Sequence, residues 1–199
     1  PETRLAGGAM GNLLWKTQDE YTNSNFMMLS GIYSQNRQSS LQLITDLFLC
    51  NEKVFTHSFL SFSKFPDSFY GIGNDISADN EESFTSQNTE LELIIGRRFN
   101  YNIFSALRLE YLNLKMKEMV ENGLLASGNY LGWDGGKTFG MGFSCGYDSR
   151  DNCFFAREGS YINLDYLSFA ESAGSDYEYD KFTVDLRNYI KIDDIQTIG

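Results

Sequence analysis

The single histidine, His57, is the first residue to consider for chemistry, because a hydrolase triad joins a histidine to a carboxylate and a nucleophile. If the segments around it form a hairpin that turns at Glu52, Asp46 faces Ser58 and His57 faces Leu47. His57 and Asp46 then project from opposite faces, since successive strand residues alternate. A register slip of one residue would bring them together. The sequence therefore predicts a structural or surface histidine and no catalytic site.

Two further groups of residues could do chemistry in another setting. The acidic pairs at 81–82 and 90–92 have no recognisable acid–base environment and are interpreted as loop and inner-face charges. The glycine-rich stretches at 69–75 and 132–137 match neither a phosphate-binding loop nor a dinucleotide-binding motif. We predict no catalytic residue and no cofactor, and we expect that the protein is not an enzyme.

The three cysteines, Cys50, Cys145 and Cys153, lack the spacing of a metal site, so no bound metal is expected. Cys145 and Cys153 flank one turn and could form a disulfide in an oxidising compartment. Cys145 fits a wall strand and Cys153 fits a turn. We therefore predict that the two residues are not bridged.

Charge and hydropathy narrow the class of protein. The net charge is −11, with acidic residues crowded at 75–82, 118–121 and 171–180. This balance argues against nucleic acid as a partner, because phosphate binding needs a basic surface. An acidic loop layer explains the clusters, and the solvated surface of a soluble protein is the alternative. No stretch of about 18 apolar residues exists, which excludes a membrane-spanning helix but not a membrane β-barrel.

Candidate β-strands follow one another along the chain without a convincing helix between them. Most have about 10 to 14 residues, which is long for a globular strand and suits a tilted strand that crosses a bilayer. The second and fourth are the weakest in pattern. The predicted strands are 4–16, 24–36, 38–50, 53–65, 87–99, 101–117, 137–148, 160–169 and 177–190.

Alternation within these strands separates an apolar face from a charged face. The predicted apolar, outward-facing residues are Leu91, Leu93, Ile95, Phe143, Phe182, Val184 and Leu186. The predicted charged, lumen-facing residues are Glu90, Glu92, Arg108, Asp165, Asp185 and Arg187. In the strand 101–117 the alternation changes phase, so we predict a β-bulge near Tyr111 that keeps the apolar residues on the outward face.

The lengths of the connections give a second indication of a barrel. Outer-membrane barrels place short turns on the periplasmic side and long loops outside. The long connections at 66–86 and 118–136 fall on one side, as this architecture requires. The short link at 36–38 falls on the long-loop side and is an exception, whereas the turn at 149–159 falls on the periplasmic side.

One motif is specific enough to indicate a family. Residues 139–148 alternate almost perfectly, and a polar turn and a second wall strand follow. The residues concerned are Tyr147, Asp148, Arg150, Asp151, Asn152, Phe155, Arg157, Glu158, Gly159 and Tyr161, followed by DYEYDKFTVDLRNYIKI at 176–192. This pattern resembles the strand–turn–strand signature of the bacterial surface antigen superfamily, the outer-membrane barrels of the BamA/TamA type. Ala156 stands where the family usually has proline. The polar turn residues and Gly159 are interpreted as turn-building rather than ligand-binding.

The resemblance implies an all-β fold, an antiparallel transmembrane β-barrel meander in the bacterial outer membrane. It also implies a role in outer-membrane protein insertion, assembly or transport, with membrane lipid and unfolded outer-membrane proteins as partners. The family's R-G-[FY] motif and its closing strand are not found in the sequence, and the chain opens without a signal-peptide pattern. We therefore expect residues 1–199 to form one partial barrel domain, truncated on the C-terminal side, with about nine strands of about sixteen.

Two other functions remain open at this point. The first is a passive pore or a structural surface barrel, which would share the same wall. The second is a soluble lipid-binding β-barrel, in which the apolar face would point inward. The direction of the charged face distinguishes the soluble barrel from the others.

Overall fold

The computed structural model describes residues 4–17, 23–74, 76–77, 80–99, 102–127, 131–152, 155–193 and 196–199. These residues form an almost purely β structure with a single short α-helix, α1 (Leu124–Ser127), and a 3₁₀ turn at Glu171–Ala173. The strands are β1 (Ala6–Trp15), β2 (Asn25–Ser34), β3 (Ser39–Leu49), β4 (Val54–Phe69), β5 (Glu82–Arg98), β6 (Ile103–Lys117), β7 (Gly135–Asp148), β8 (Gly159–Phe169), β9 (Tyr179–Lys191) and β10 (Thr197–Ile198). No helix in the described ranges is long and apolar enough to cross a membrane.

All ten strands belong to one antiparallel sheet whose spatial order is the chain order, β1 to β10. The predicted all-β antiparallel meander is therefore confirmed. All nine predicted strands are present, including the doubtful second and fourth, and a two-residue tenth strand pairs with β9. Within the described residues the sheet does not close, because β1 pairs with β2 and β10 pairs with β9.

The bulge predicted near Tyr111 is wrong. The pairing of β6 with β5 and with β7 continues through Tyr111 without an extra residue on either side. Leu112 and Leu114 therefore lie on the same face as Arg108 and Glu110. Leu112 is accommodated there because it lines a groove together with aromatic side chains of other strands, namely Phe59, Phe169 and Tyr179.

The sheet is a single layer, so the burial of its side chains shows how it curves. Ser144 and Asp165 are 3% and 6% exposed, whereas Phe182 and Val184 on the opposite face are 74% and 63% exposed. A single layer can bury one face only by curling toward it, so that side chains from several strands cover one another. We call the concave face the inner face and the convex face the outer face.

The connections divide the sheet into two ends. Residues 50–53, 99–102 and 149–158 connect strands at what we call the short-turn end. The connections 70–81, 118–134 and 170–178 lie at the opposite, long-loop end, together with the short link 35–38. The two long loops share a side as predicted, and the exception at 35–38 is real.

The turn between β3 and β4 contains three consecutive residues in the left-handed region, Cys50, Asn51 and Glu52, with φ of 51°, 57° and 59°. Asparagine adopts this conformation readily, and Glu52 accepts a hydrogen bond from the Asn23 N–H at 2.6 Å. Cys50 does not share the conformational preference of asparagine, and its exposed thiol is free. The positive φ therefore strains its β-carbon.

Cys50→Gly is expected to stabilise the protein by about 0.5–1 kcal/mol, since glycine has no β-carbon to strain at positive φ. The measurement is the urea midpoint of the protein folded into lipid vesicles. Asn51→Gly serves as the matched control and should change stability less. A loss of stability in Cys50→Gly would contradict the strain argument.

Candidate functional site

The six residues predicted to face the lumen lie on one face of the sheet. Continuous pairing places Glu90 and Glu92 of β5 on the same face as Arg108 of β6. The pairing of β7, β8 and β9 extends that face to Asp165, Asp185 and Arg187. This is the inner face, where the structure brings three of the six, Glu92, Arg108 and Asp165, into direct contact.

Arg108 is the centre of an ion-pair network on the inner face. Its Nη1 lies 2.6 Å from Asp165 Oδ2, although β7 lies between their two strands. Its Nη2 contacts Glu92 and lies 3.3 Å from Glu110 Oε1. Asp165 also accepts hydrogen bonds from Ser144 and from the Asn163 amide. Contact across β7 is possible because the β7 residue opposite Arg108 is Gly142, which has no side chain to intervene.

Two residues of this network were missed by sequence reasoning. These residues are Glu110 of β6 and Lys181 of β9. Their side chains form an ion pair at 3.0 Å that reaches from β6 to β9. The remaining pair, Asp185 and Arg187, forms an exposed ion pair within β9. A contact between strands three apart depends on sheet curvature, and periodicity carries no signal of it.

The predicted separation of His57 and Asp46 is wrong. The loop between β3 and β4 has four residues, which sets Asp46 directly opposite His57 rather than Ser58. His57 Nδ1 and Asp46 Oδ1 lie 2.7 Å apart on the inner face. Ser58 lies on the other face, where its hydroxyl contacts Thr45 at 2.7 Å. The structure therefore pairs a histidine with a carboxylate, as a hydrolase triad does, but places Ser58 on the opposite face of the sheet.

The family turn after β7 is built by its own polar side chains. Arg150 donates two hydrogen bonds of 2.9 Å to the Asp148 carboxylate, and its guanidinium lies 4.5 Å from the centre of the Tyr161 ring. Asn152 Oδ1 accepts the Phe155 N–H at 3.0 Å. The other members of the motif, Tyr147 and Phe155, are exposed.

Gly159 closes this turn with φ of 103°. Any β-carbon at this position would also collide with the backbone of Ser149. Glycine is therefore required here both by conformation and by space. Cys153 lies outside the described residues, so the prediction that Cys145 and Cys153 are not bridged also falls outside them. Cys145 has a free, exposed thiol.

Asp151 organises the centre of the turn, because its Oδ1 accepts the backbone N–H groups of Asn152, Arg157 and Glu158 at 3.0, 2.8 and 3.3 Å. The Arg157 N–H contributes most to lowering the pKa of Asp151. A lowered folded-state pKa means that the turn gains stability above the ordinary aspartate pKa. That stability is lost as the pH falls through the lower, folded-state value.

We therefore expect the protection of the Arg157 and Glu158 amide hydrogens to fall under acidic conditions, below the ordinary titration range of aspartate. Hydrogen exchange followed by mass spectrometry, corrected for intrinsic exchange rates, measures this protection. In Asp151→Asn the acid-dependent loss should disappear, and protection should be lower at neutral pH. An unchanged acid profile in that variant would show that another group controls the turn.

The outer face is apolar and exposed. Of the seven residues predicted to face outward, Leu93 is half-buried and the other six are exposed. The long-loop end is acidic, because all three acidic clusters lie at or beside its loops. There the Thr85 hydroxyl, at 3.0 Å, and Lys64, at 3.2 Å, lower the pKa of Glu118. In the part of the chain that the structure describes, no group of three metal-ligating side chains could hold an ion.

A single curled sheet with charges inside, apolar side chains outside and its two longest loops at one end has the architecture of a β-barrel wall in a membrane. The sequence profile of the Omp85 superfamily domain matches residues 22–199. The chain therefore belongs to the Omp85 superfamily, and the predicted resemblance to the surface antigen barrels is confirmed. A search of curated proteins gave no significant match.

Members of this superfamily are outer-membrane proteins of bacteria or organelles, and the protein is an outer-membrane protein of the surface antigen type. The soluble lipid-binding barrel is not supported, because that function would require the apolar face to be concave. In this sheet the concave face carries the Arg108 network, and the apolar residues are on the convex face.

Proposed function

We propose that the protein assists the insertion or assembly of other proteins in the bacterial outer membrane, or their transport across it. The observation that carries the proposal is the composition of β1, in which five of the ten residues are glycine or alanine. A first strand that is held only weakly to its neighbour can open and offer its backbone N–H and C=O groups to an incoming strand. Unfolded outer-membrane proteins are the proposed clients, with membrane lipid around the wall.

The composition of β1 supports a weak seam at this edge. Ala6, Gly7, Gly8, Ala9 and Gly11 provide little side-chain surface for cross-strand packing. A seam between the first and last strands of the barrel would therefore open sideways at a low free-energy cost. This mechanism needs no catalytic residue, so the proposal includes the absence of enzymatic activity.

The test uses Gly7→Val/Gly11→Val in the full-length protein. The structure has open space around both positions, so valine should raise strand propensity without a steric clash. If seam opening limits the rate, client insertion into vesicles should slow by about tenfold. The matched control is Gly31→Val in β2, where a new β-carbon meets a flexible Leu41 side chain at 3.7 Å. Insertion at the normal rate in the double variant would reject the seam mechanism.

A passive pore is the second candidate, because the inner face is charged and suits a water-filled lumen. Ion conductance across a planar bilayer distinguishes the two functions. A pore that conducts steadily and leaves client insertion at the uncatalysed rate would replace the insertion proposal.

A further inference from the structure

The outer face contains an open groove of about 540 Å³ near the short-turn end. Its outward-facing lining residues are Val54, Ile95, Arg97, Ser105, Leu107, Phe143 and Cys145. Ser105 and Cys145 lie directly opposite each other on β6 and β7 and are the smallest of these side chains. They form the floor of the groove, and the larger side chains of the next row, Ile95, Leu107 and Phe143, form a wall.

One cation, Arg97, lines this groove. Arg97 lies directly opposite Ser105 on one side and Val54 on the other. Its side chain is exposed and forms no ion pair with another described residue. The guanidinium of Arg97 lies 5.9 Å from the centre of the Phe99 ring.

An apolar groove lined by an arginine without an ion-pair partner among the described residues has the chemistry to bind an anionic amphiphile. Arginine binds phosphate oxygens through two parallel hydrogen bonds. The outer face of a barrel wall lies against lipid, and the short turns lie at one membrane surface. Arg97, the second-last residue of β5, is therefore at headgroup level, while the Ser105–Cys145 floor extends the site over the apolar wall.

We propose that this groove is a binding site for one anionic glycerophospholipid, whose phosphate pairs with Arg97 and whose acyl chain lies over Ser105 and Cys145. The site rests on the position of the wall in the membrane and is independent of the insertion function proposed above. It differs from general lipid contact because it requires a preference for headgroup charge at one position on the wall.

The test is native mass spectrometry of the full-length protein in non-ionic detergent, titrated separately with phosphatidylglycerol and phosphatidylcholine. The native protein should bind one phosphatidylglycerol more tightly than phosphatidylcholine. Arg97→Gln should weaken phosphatidylglycerol binding by about fivefold. The matched control is Lys115→Gln, an exposed outward-facing cation at the long-loop end of β6, which should leave binding unchanged.

A second variant tests the groove rather than the charges. Ser105→Phe fills the floor with an apolar side chain that suits the lipid-facing wall, and it should weaken binding of both lipids while leaving Arg97 in place. Equal binding of the two lipids by the native protein would overturn the proposal. Equal loss in Arg97→Gln and Lys115→Gln would also overturn it, because the cations would then act only through general charge.

Discussion

Val184→Arg is expected to destabilise the membrane-inserted protein by about 2–4 kcal/mol, whereas Thr183→Arg should cost no more than about 1 kcal/mol. The two residues are neighbours in β9 and are both exposed, but they lie on opposite faces. Arginine at 184 would enter hydrocarbon. Arginine at 183 would lie on the inner face, where Thr183 is exposed and a charge can stay in contact with water.

Urea unfolding of the full-length protein in lipid vesicles, followed by tryptophan fluorescence, measures both variants. Ser144→Arg is unsuitable as the inner-face control, because Ser144 is buried against Asp165 and has no room for a long side chain. Equal losses for Val184→Arg and Thr183→Arg would contradict the assignment of the outer face to lipid.

Arg108→Met is expected to destabilise the protein by about 3–5 kcal/mol, because it leaves buried carboxylates without their cation. The Arg108 side chain is 13% exposed and that of Asp165 is 4% exposed, so water cannot easily replace the lost partner. Glu92 and Glu110 would also repel each other across the pair of strands, where they lie directly opposite.

A double-mutant cycle with Asp165→Asn isolates the pair. Arg108→Met/Asp165→Asn should cost less than the sum of the single changes, since it removes one of the uncompensated charges. Arg187→Met is the matched control, because its ion pair with Asp185 is on the same face but exposed, and it should cost about 1 kcal/mol or less. Similar losses for Arg108→Met and Arg187→Met would show that the network is solvated and contributes little.

Local patterns were sufficient to predict most of the wall. Alternation in 87–99 and 177–190 predicted the two faces of β5 and β9, because a strand has a fixed period of two regardless of its neighbours. The polar residues and the glycine of 147–161 predicted a turn, since their hydrogen bonds are local in sequence. The same pattern indicated the Omp85 superfamily, which the match to residues 22–199 confirms.

Register and curvature were decided by the tertiary structure. The hairpin between β3 and β4 is centred between Asn51 and Glu52 rather than on Glu52, which shifted the pairing by one residue and joined His57 to Asp46. The pairing on both sides of β6 is uninterrupted, so the bulge expected at Tyr111 is absent. The alternation can change phase there because Leu112 packs on the inner face beside aromatic side chains of other strands.

The amino-acid sequence by itself therefore determined which residues are strands, which side chains share a face and which family turn connects β7 to β8. Only the curled sheet decided which of those side chains touch, as Arg108 does with Asp165 across β7 and Glu110 with Lys181 across two strands. The physical reason is distance along the chain. Periodicity and turn chemistry act between near neighbours, whereas these contacts join residues of different strands through the register of every intervening pair and the bend of the whole sheet.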